Sequence, residues 1–251
     1  MKYLVLNDEV TSPDYGHYVS FSDETGEVKY EFRSSRIPLQ ALHGALIGIR
    51  EITGSDRGIA LYGKSGIPAY NTTYWNTLVG SLSAQVLAEL QSKYPWFPGV
   101  TEIETPTGEL LDAPHFWATM SGLFAGHGDL TGWAGDLVQF ANDLKTDPEA
   151  EFPGGTFGWA DWWADLDAHN IYYQISANAD LTEASKAYWE TVDEGLRCRA
   201  WITKGDVRSR FFNSSDLPLL RALITTSYPG VTDALLEAAC SKMQAYLDQF
   251  K

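Results

Sequence analysis

An α+β fold, mainly helical and contained in a single domain over residues 1–251, is the class the sequence predicts, and three observations predict it. Short runs of β-branched and aromatic residues are confined to residues 1–70, a mixed β/α portion. Stretches with apolar residues at helical spacing fill residues 71–251, the helical body. Neither a Pro/Gly/Ser-rich linker nor a repeat of roughly 20–50 residues divides the chain. With 251 residues, 44% of them hydrophobic, the chain can bury one sizeable core.

Taken in order, Tyr3 to Leu6 reads as a strand, and His17 to Phe21 with Val28 to Phe32 reads as a hairpin around Gly26. Ile37 to Ile52 has helical spacing at Leu39, Leu42, Ala45, Leu46 and Ile49, and Gly54 closes it. Gly58 to Gly63 reads as a buried strand. Helices are expected over Thr77 to Lys93, Ala113 to Phe124, Thr131 to Leu144, Trp159 to Ser176, Thr182 to Thr203, Leu217 to Thr226 and Thr232 to Phe250, the last capped by Thr232. Pro148 to Gly158 reads as a long loop within the domain.

Charge excludes several classes of function. The chain carries 18 basic and 33 acidic side chains, a net charge of −15, which repels phosphate backbones and anionic lipid. Nucleic-acid and membrane-surface roles are therefore not expected; the expected partner is a neutral or cationic ligand, glycans included, and the oligomeric state is left open. The first residues turn polar after Tyr3-Leu4-Val5-Leu6, too short an apolar run for a secretory signal or a spanning helix. A soluble cytoplasmic protein is expected, although signal-independent export would leave no trace here. Cys198 and Cys240 lie too far apart for a CxxC pair and read as buried thiols.

The charge is also uneven. Residues 94–185 hold 15 acidic side chains against Lys145 alone, and six of the nine tryptophans, whereas the flanking segments are close to neutral. Carboxylates and flat aromatic faces are equipment for binding cations or sugars, so the site is sought in this middle portion. Elsewhere, Gly58 to Ser65 matches the phosphate-loop pattern GxxxxGK[ST] letter for letter. Its context excludes that role, because polar residues precede the first glycine and Gly66-Ile67-Pro68 follows where a helix should begin. The sequons at Asn71 and Asn213 read as chance matches.

Three acidic segments carry the candidate chemistry. Asp112 is a helix N-cap, with Pro114 in the first turn and His115 one turn from it. Asp136 follows Gly132 and Gly135, small residues that admit another backbone or a ligand near a helix start. Asp161, Asp165 and His169 fall at i, i+4 and i+8 and form one stripe on a helix; stacked like charges repel unless one carboxyl is protonated, a cation or histidine intervenes, or both are solvated.

Two mechanisms can use this set. In the favoured one, the protein is a hydrolase of a carbohydrate polymer such as a cell-wall glycan. Asp112, His115, Asp136 and Asp165 then supply acid/base chemistry, Trp117, Trp133, Trp162 and Trp163 bind the sugar, and no cofactor is needed. In the alternative, Asp161, Asp165 and His169 hold a divalent metal ion that activates water for hydrolysis. A non-catalytic binding or structural role is the third reading. No GxSxG elbow, GxGxxG loop or EF-hand loop occurs.

Overall fold

The structure is a computed structural model and describes residues 2–7, 18–22, 28–33, 36–155, 157–175, 179–202 and 205–251. Near the N-terminus, β1 (Lys2–Asn7), β2 (Tyr18–Ser22) and β3 (Val28–Arg33) form an antiparallel sheet in chain order, with Val19 opposite Phe32 as the expected hairpin requires. A second small sheet was not legible beforehand. In it β4 (Arg36–Pro38) pairs in parallel with β5 (Glu102–Glu104), which pairs antiparallel with β6 (Leu110–Asp112). Strands of three residues are too short to show an alternation.

Between β4 and β5 lie α1 (Leu39–Thr53), α2 (Asp56–Lys64), α3 (Thr73–Val79) and α4 (Ala84–Lys93). The strand expected over Gly58–Gly63 is α2 instead. Ser55 caps it, accepting a hydrogen bond from the Gly58 amide, and Asp56 occupies its first turn. Its glycines serve packing: a Cβ at Gly63 would lie 2.5 Å from the Trp117 ring, and one at Gly58 would lie 2.3 Å from Thr53. The helix expected over Thr77–Lys93 is two helices, broken at Gly80, whose φ of +93° is left-handed, with Ser83 capping α4.

After β6 the chain is helical: α5 (Ala113–Ala125), α6 (Gly128–Thr131), α7 (Trp133–Thr146), α8 (Trp159–Ile175), α9 (Leu181–Trp189), α10 (Glu194–Ile202), α11 (Val207–Phe212), α12 (Leu217–Ser227) and α13 (Asp233–Leu247). The fold is thus α+β and mainly helical, as the periodicity implies. Thr232 caps α13 as expected. The helix expected over Thr182–Thr203 is interrupted, since Asp193 accepts a hydrogen bond from the Leu196 amide and starts α10 afresh; Ser176 and Thr203, the expected ends of two helices, lie outside the described residues. No helix among the described residues is long and apolar enough to cross a membrane.

Helix α8 organises the body because it joins two hydrophobic clusters. Its residues Ala164, Ala168 and Ile171 pack with α1, α2, α5 and α9, while Trp162 and Leu166 pack with α7, α11 and α13. At about 100° per residue, Asp161, Asp165 and His169 fall along one seam between those apolar faces, and Trp163, Asp167 and Asn170 fall along the opposite seam. Polar groups in these seams are buried: Asp165 is 1% exposed, Asp167 0% and His169 1%. A solvated acidic face is therefore not what the stripe provides.

Candidate functional site

Three helix beginnings converge beside the first seam. β6 runs directly into α5, where Asp112 is the N-cap and its Oδ1 accepts from the His115 amide at 2.8 Å. Asp136 lies in the first turn of α7, Asp161 in the first turn of α8, and Asp165 one turn further on. The unpaired N–H groups and positive dipole ends of these helices favour carboxylates there, which makes crowding of acids tolerable.

His115 ties the helices together. Its Nδ1 lies 3.2 Å from Asp165 Oδ2 and 3.8 Å from Asp136 Oδ1. Asp165 is fixed from its other side, because the Thr119 hydroxyl, one turn beyond His115 on α5, lies 2.5 Å from Asp165 Oδ1. Asp161 Oδ2 accepts from the Gly158 amide at 2.9 Å. Asp136 differs from these neighbours. It is 1% exposed, and its Oδ2 is buried with no hydrogen-bond partner among the described residues.

The electrostatics follow from this geometry. Burial, reinforced by repulsion and a shared proton with Asp165 and by Asp161, holds the Asp136 carboxyl well above the usual carboxylate range. Burial raises Asp112 too, against the pull of His115. Burial alone would discharge His115, but Asp165, Asp112 and Asp161 outweigh it and push the imidazole up to about 9. The surroundings therefore favour the charged form of His115 and the protonated form of Asp136.

Asp112, His115 and Asp136 line a cleft of about 410 Å³, with Asp165 behind them. Its aromatic walls are Tyr70, Trp75 and Tyr228. The Tyr70 phenol is raised by burial and then by Asp165, Tyr228, Asp112 and Asp136, which locates its hydroxyl close to the acids. These aromatics, and Thr119, were not legible as site residues: Tyr70 and Trp75 stand in an irregular stretch before and within α3, and Tyr228 ends α12, with no local pattern pointing to Asp112.

The other expected site residues are placed differently. His169 packs its ring against Trp201, with centroids 4.8 Å apart, and against the backbone at Gly132, where a Cβ would approach Nε2 to 2.6 Å. Among the described residues it joins no cluster of metal-ligating atoms with Asp161 or Asp165; His115 takes that place. Gly132 is thus explained by packing, and Gly135 lines the cleft. Sugar stacking does not suit Trp117, Trp133 and Trp162, which are at most 2% exposed in the core. Trp163, half-buried, lies under the Arg197 guanidinium at 4.7 Å and does not line the cleft. These three indoles are core because the helix faces bearing them turn inward, Trp117 of α5 into the first hydrophobic cluster and Trp133 of α7 and Trp162 of α8 into the second.

Two overlapping sets of atoms within the cluster have the spacing of a metal site. One carboxylate oxygen each from Asp136 and Asp165 with a His115 ring nitrogen lie within 4.8 Å of one another, and so do atoms of Asp112, His115 and Asp161. Ligands at about 2.0–2.4 Å from a common ion are separated by at most about 4–4.8 Å, so either set can converge on one cation.

No curated protein and no solved structure matches the chain. A protein family does, over residues 111–244, a span that begins at the entrance to α5 and contains Asp112, His115, Asp136, Asp161 and Asp165 but neither Tyr70 nor Trp75. Since that span is more than half of the sequence, the chain belongs to the family described as YkzU uncharacterised protein.

Proposed function

We propose that the protein is a hydrolase whose acidic cleft works with a divalent cation held by His115, Asp136 and Asp165, with Asp112 and Asp161 next to it. One observation carries this reading: the buried Asp136 has an oxygen, Oδ2, with no hydrogen-bond partner among the described residues, and a carboxylate oxygen of the same group lies within ligand spacing of a histidine nitrogen and a second carboxylate. A buried carboxylate oxygen left unsatisfied is costly unless a proton or a cation occupies its lone pairs. Without a cation, protonation, which the surroundings favour at both His115 and Asp136, offsets the crowded negative charge. A cation entering the cluster displaces those protons, so binding releases them and strengthens as pH rises. Its role would be to lower the pKa of a bound water and present the resulting hydroxide to a substrate in the cleft.

A second reading is favoured by a different observation, a carboxyl at Asp136 that burial holds above the usual carboxylate range, beside aromatic walls. There Asp136 is the general acid for a glycosidic bond, and Tyr70, Trp75 and Tyr228 take the stacking role expected of the tryptophans. One measurement separates the two. Chelator-treated protein is titrated with Mg²⁺, Ca²⁺, Mn²⁺ and Zn²⁺, and binding is followed by native mass spectrometry and thermal midpoint. The cation reading expects one or two ions per chain and at least a tenfold weaker Kd in Asp136→Asn. A wild-type protein that binds no stoichiometric ion, and whose stability ignores chelator, would overturn it in favour of the acid/base reading.

A further inference from the structure

A second cleft, on the other side of the segment that carries Tyr70 and Trp75, has the opposite character. It encloses about 340 Å³ beside the last turn of α2, and its polar lining is Lys64, Ser65, Asn71, Asn76, Ser81 and Gln91, with no carboxylate. In a chain of net charge −15, a pocket of this size without acids stands out. Lys64 is 2% exposed. Lysine is almost never buried to that degree unless paired with an opposite charge. Here its Nζ donates to the Tyr70 carbonyl at 3.0 Å and to Asn76 Oδ1 at 2.9 Å, both neutral acceptors. Among the described residues no carboxylate lies within ion-pair distance of it.

An ammonium has three N–H donors, so the two neutral acceptors leave one over. A further compensation is the partial negative charge at the C-terminal end of α2, where Lys64 stands. At the mouth of the cleft, the exposed Ser81 hydroxyl and Gln91 amide form no hydrogen bonds with other described residues and are available to a ligand. The geometry also explains the phosphate-loop lettering of Gly58–Ser65. In a phosphate loop the lysine opens a helix, whereas here it closes one, so any anion must meet the side chain rather than a cradle of backbone amides.

We infer that this second cleft binds a small organic oxyanion, a carboxylate or a phosphate ester, whose charge pairs with Lys64 Nζ and whose polar body is held by Ser81 and Gln91. The cleft volume is that of a small-molecule site, and neutral hydrogen-bonding walls around one buried cation are the pattern such ligands require. Burial lowers the Lys64 amine from its ordinary value, and a bound anion would restore it. This site shares no side chain with the acidic cluster, so its test stands apart from that of the cation.

The test uses the full chain, treated with chelator so that no cation bridges the probe, and titrates inorganic phosphate and malonate against sodium chloride of matched ionic strength. The expected result is saturable one-to-one binding, with the thermal midpoint raised by about 3–5 °C at a tenfold excess over Kd. Stronger binding of phosphate assigns the pocket to phosphate esters, and stronger binding of malonate assigns it to carboxylates. Ser81→Leu and Gln91→Leu, at exposed positions, should each weaken binding about tenfold, the equivalent of one lost polar contact, and Lys64→Met should abolish it. If Lys64→Met fails to fold, the two mouth variants decide. A wild-type protein whose midpoint follows ionic strength alone overturns the inference, as does undiminished binding in both mouth variants.

Discussion

Helix α8 presents two buried aspartates two residues apart, and their surroundings could hardly differ more. Asp167, in one seam, accepts from the Tyr188 hydroxyl at 2.7 Å, Trp189 Nε1 at 3.0 Å and Arg197 Nε at 3.0 Å, and Arg197 is itself buried, stacked over Trp163 and paired with Glu109. Asp165, in the other seam, meets Thr119, His115 and a second carboxylate, Asp136, whose Oδ2 has no partner among the described residues. Both are fully buried, so burial of a carboxylate does not identify a site. What distinguishes the two carboxylates is satisfaction: every lone pair of Asp167 faces a donor of this chain, whereas the carboxylate beside Asp165 keeps an oxygen that no described residue satisfies.

The largest expected effect tests the closed seam. Arg197→Met removes the countercharge of Asp167 and leaves an uncompensated buried carboxylate, at a cost of about 3–5 kcal/mol in denaturant unfolding. A loss under about 1 kcal/mol would mean that the Asp167 seam is not closed by this pair, and the contrast would fail on that side.

Next comes pH. His115 in the folded chain, at about 9, lies above the unfolded value of 6.5. Its contribution is therefore complete below about pH 6.5 and is lost as pH rises through about 9, on the order of 2–3 kcal/mol in all. Urea titrations across that range should show the loss in wild type and a much flatter profile in His115→Gln. Equal slopes in the two proteins would detach His115 from the carboxylates.

The smallest effect sharpens the contrast most. Asp136 is held above its unfolded value, so at neutral pH its tendency to ionise works against folding, and Asp136→Asn, which mimics the protonated carboxyl, should leave stability unchanged or raise it by up to about 1 kcal/mol. A loss of about 2 kcal/mol or more would make Asp136 a structural acid of the Asp167 kind.

Much of this was legible in the chain, and the parts that were not have a common cause. The Asp112 cap, the start of α8 at Trp159 and the stripe of Asp161 and Asp165 are local facts, set by capping chemistry and the 3.6-residue period. Those local facts point to Asp112, His115 and Asp165, the small residues Gly132 and Gly135 point to Asp136, and the fold brings the four together. His169 shares the stripe, yet one further turn carries it past the cluster to Trp201 and the Gly132 backbone. The tryptophans misled because an indole has the same composition in a core as in a binding cleft, and only the packing partner distinguishes them.

By itself the sequence determined the mainly helical α+β class, the helices α5, α7, α8, α12 and α13 and the acidic middle segment, because periodicity, caps and charge act over a turn or two. Tertiary structure decided what stood next to what. His115 and Asp165 are 50 residues apart, and Lys64 and Asn76 are 12 apart across a turn and a separate helix. Whether Gly58 to Gly63 became strand or helix also waited on packing, since a short apolar run satisfies either until Ser55 caps it and Trp117 fills the space at Gly63. Which seam of α8 closed on an arginine and which stayed open depended on the elements delivered to each side, and no local signal in the chain records that.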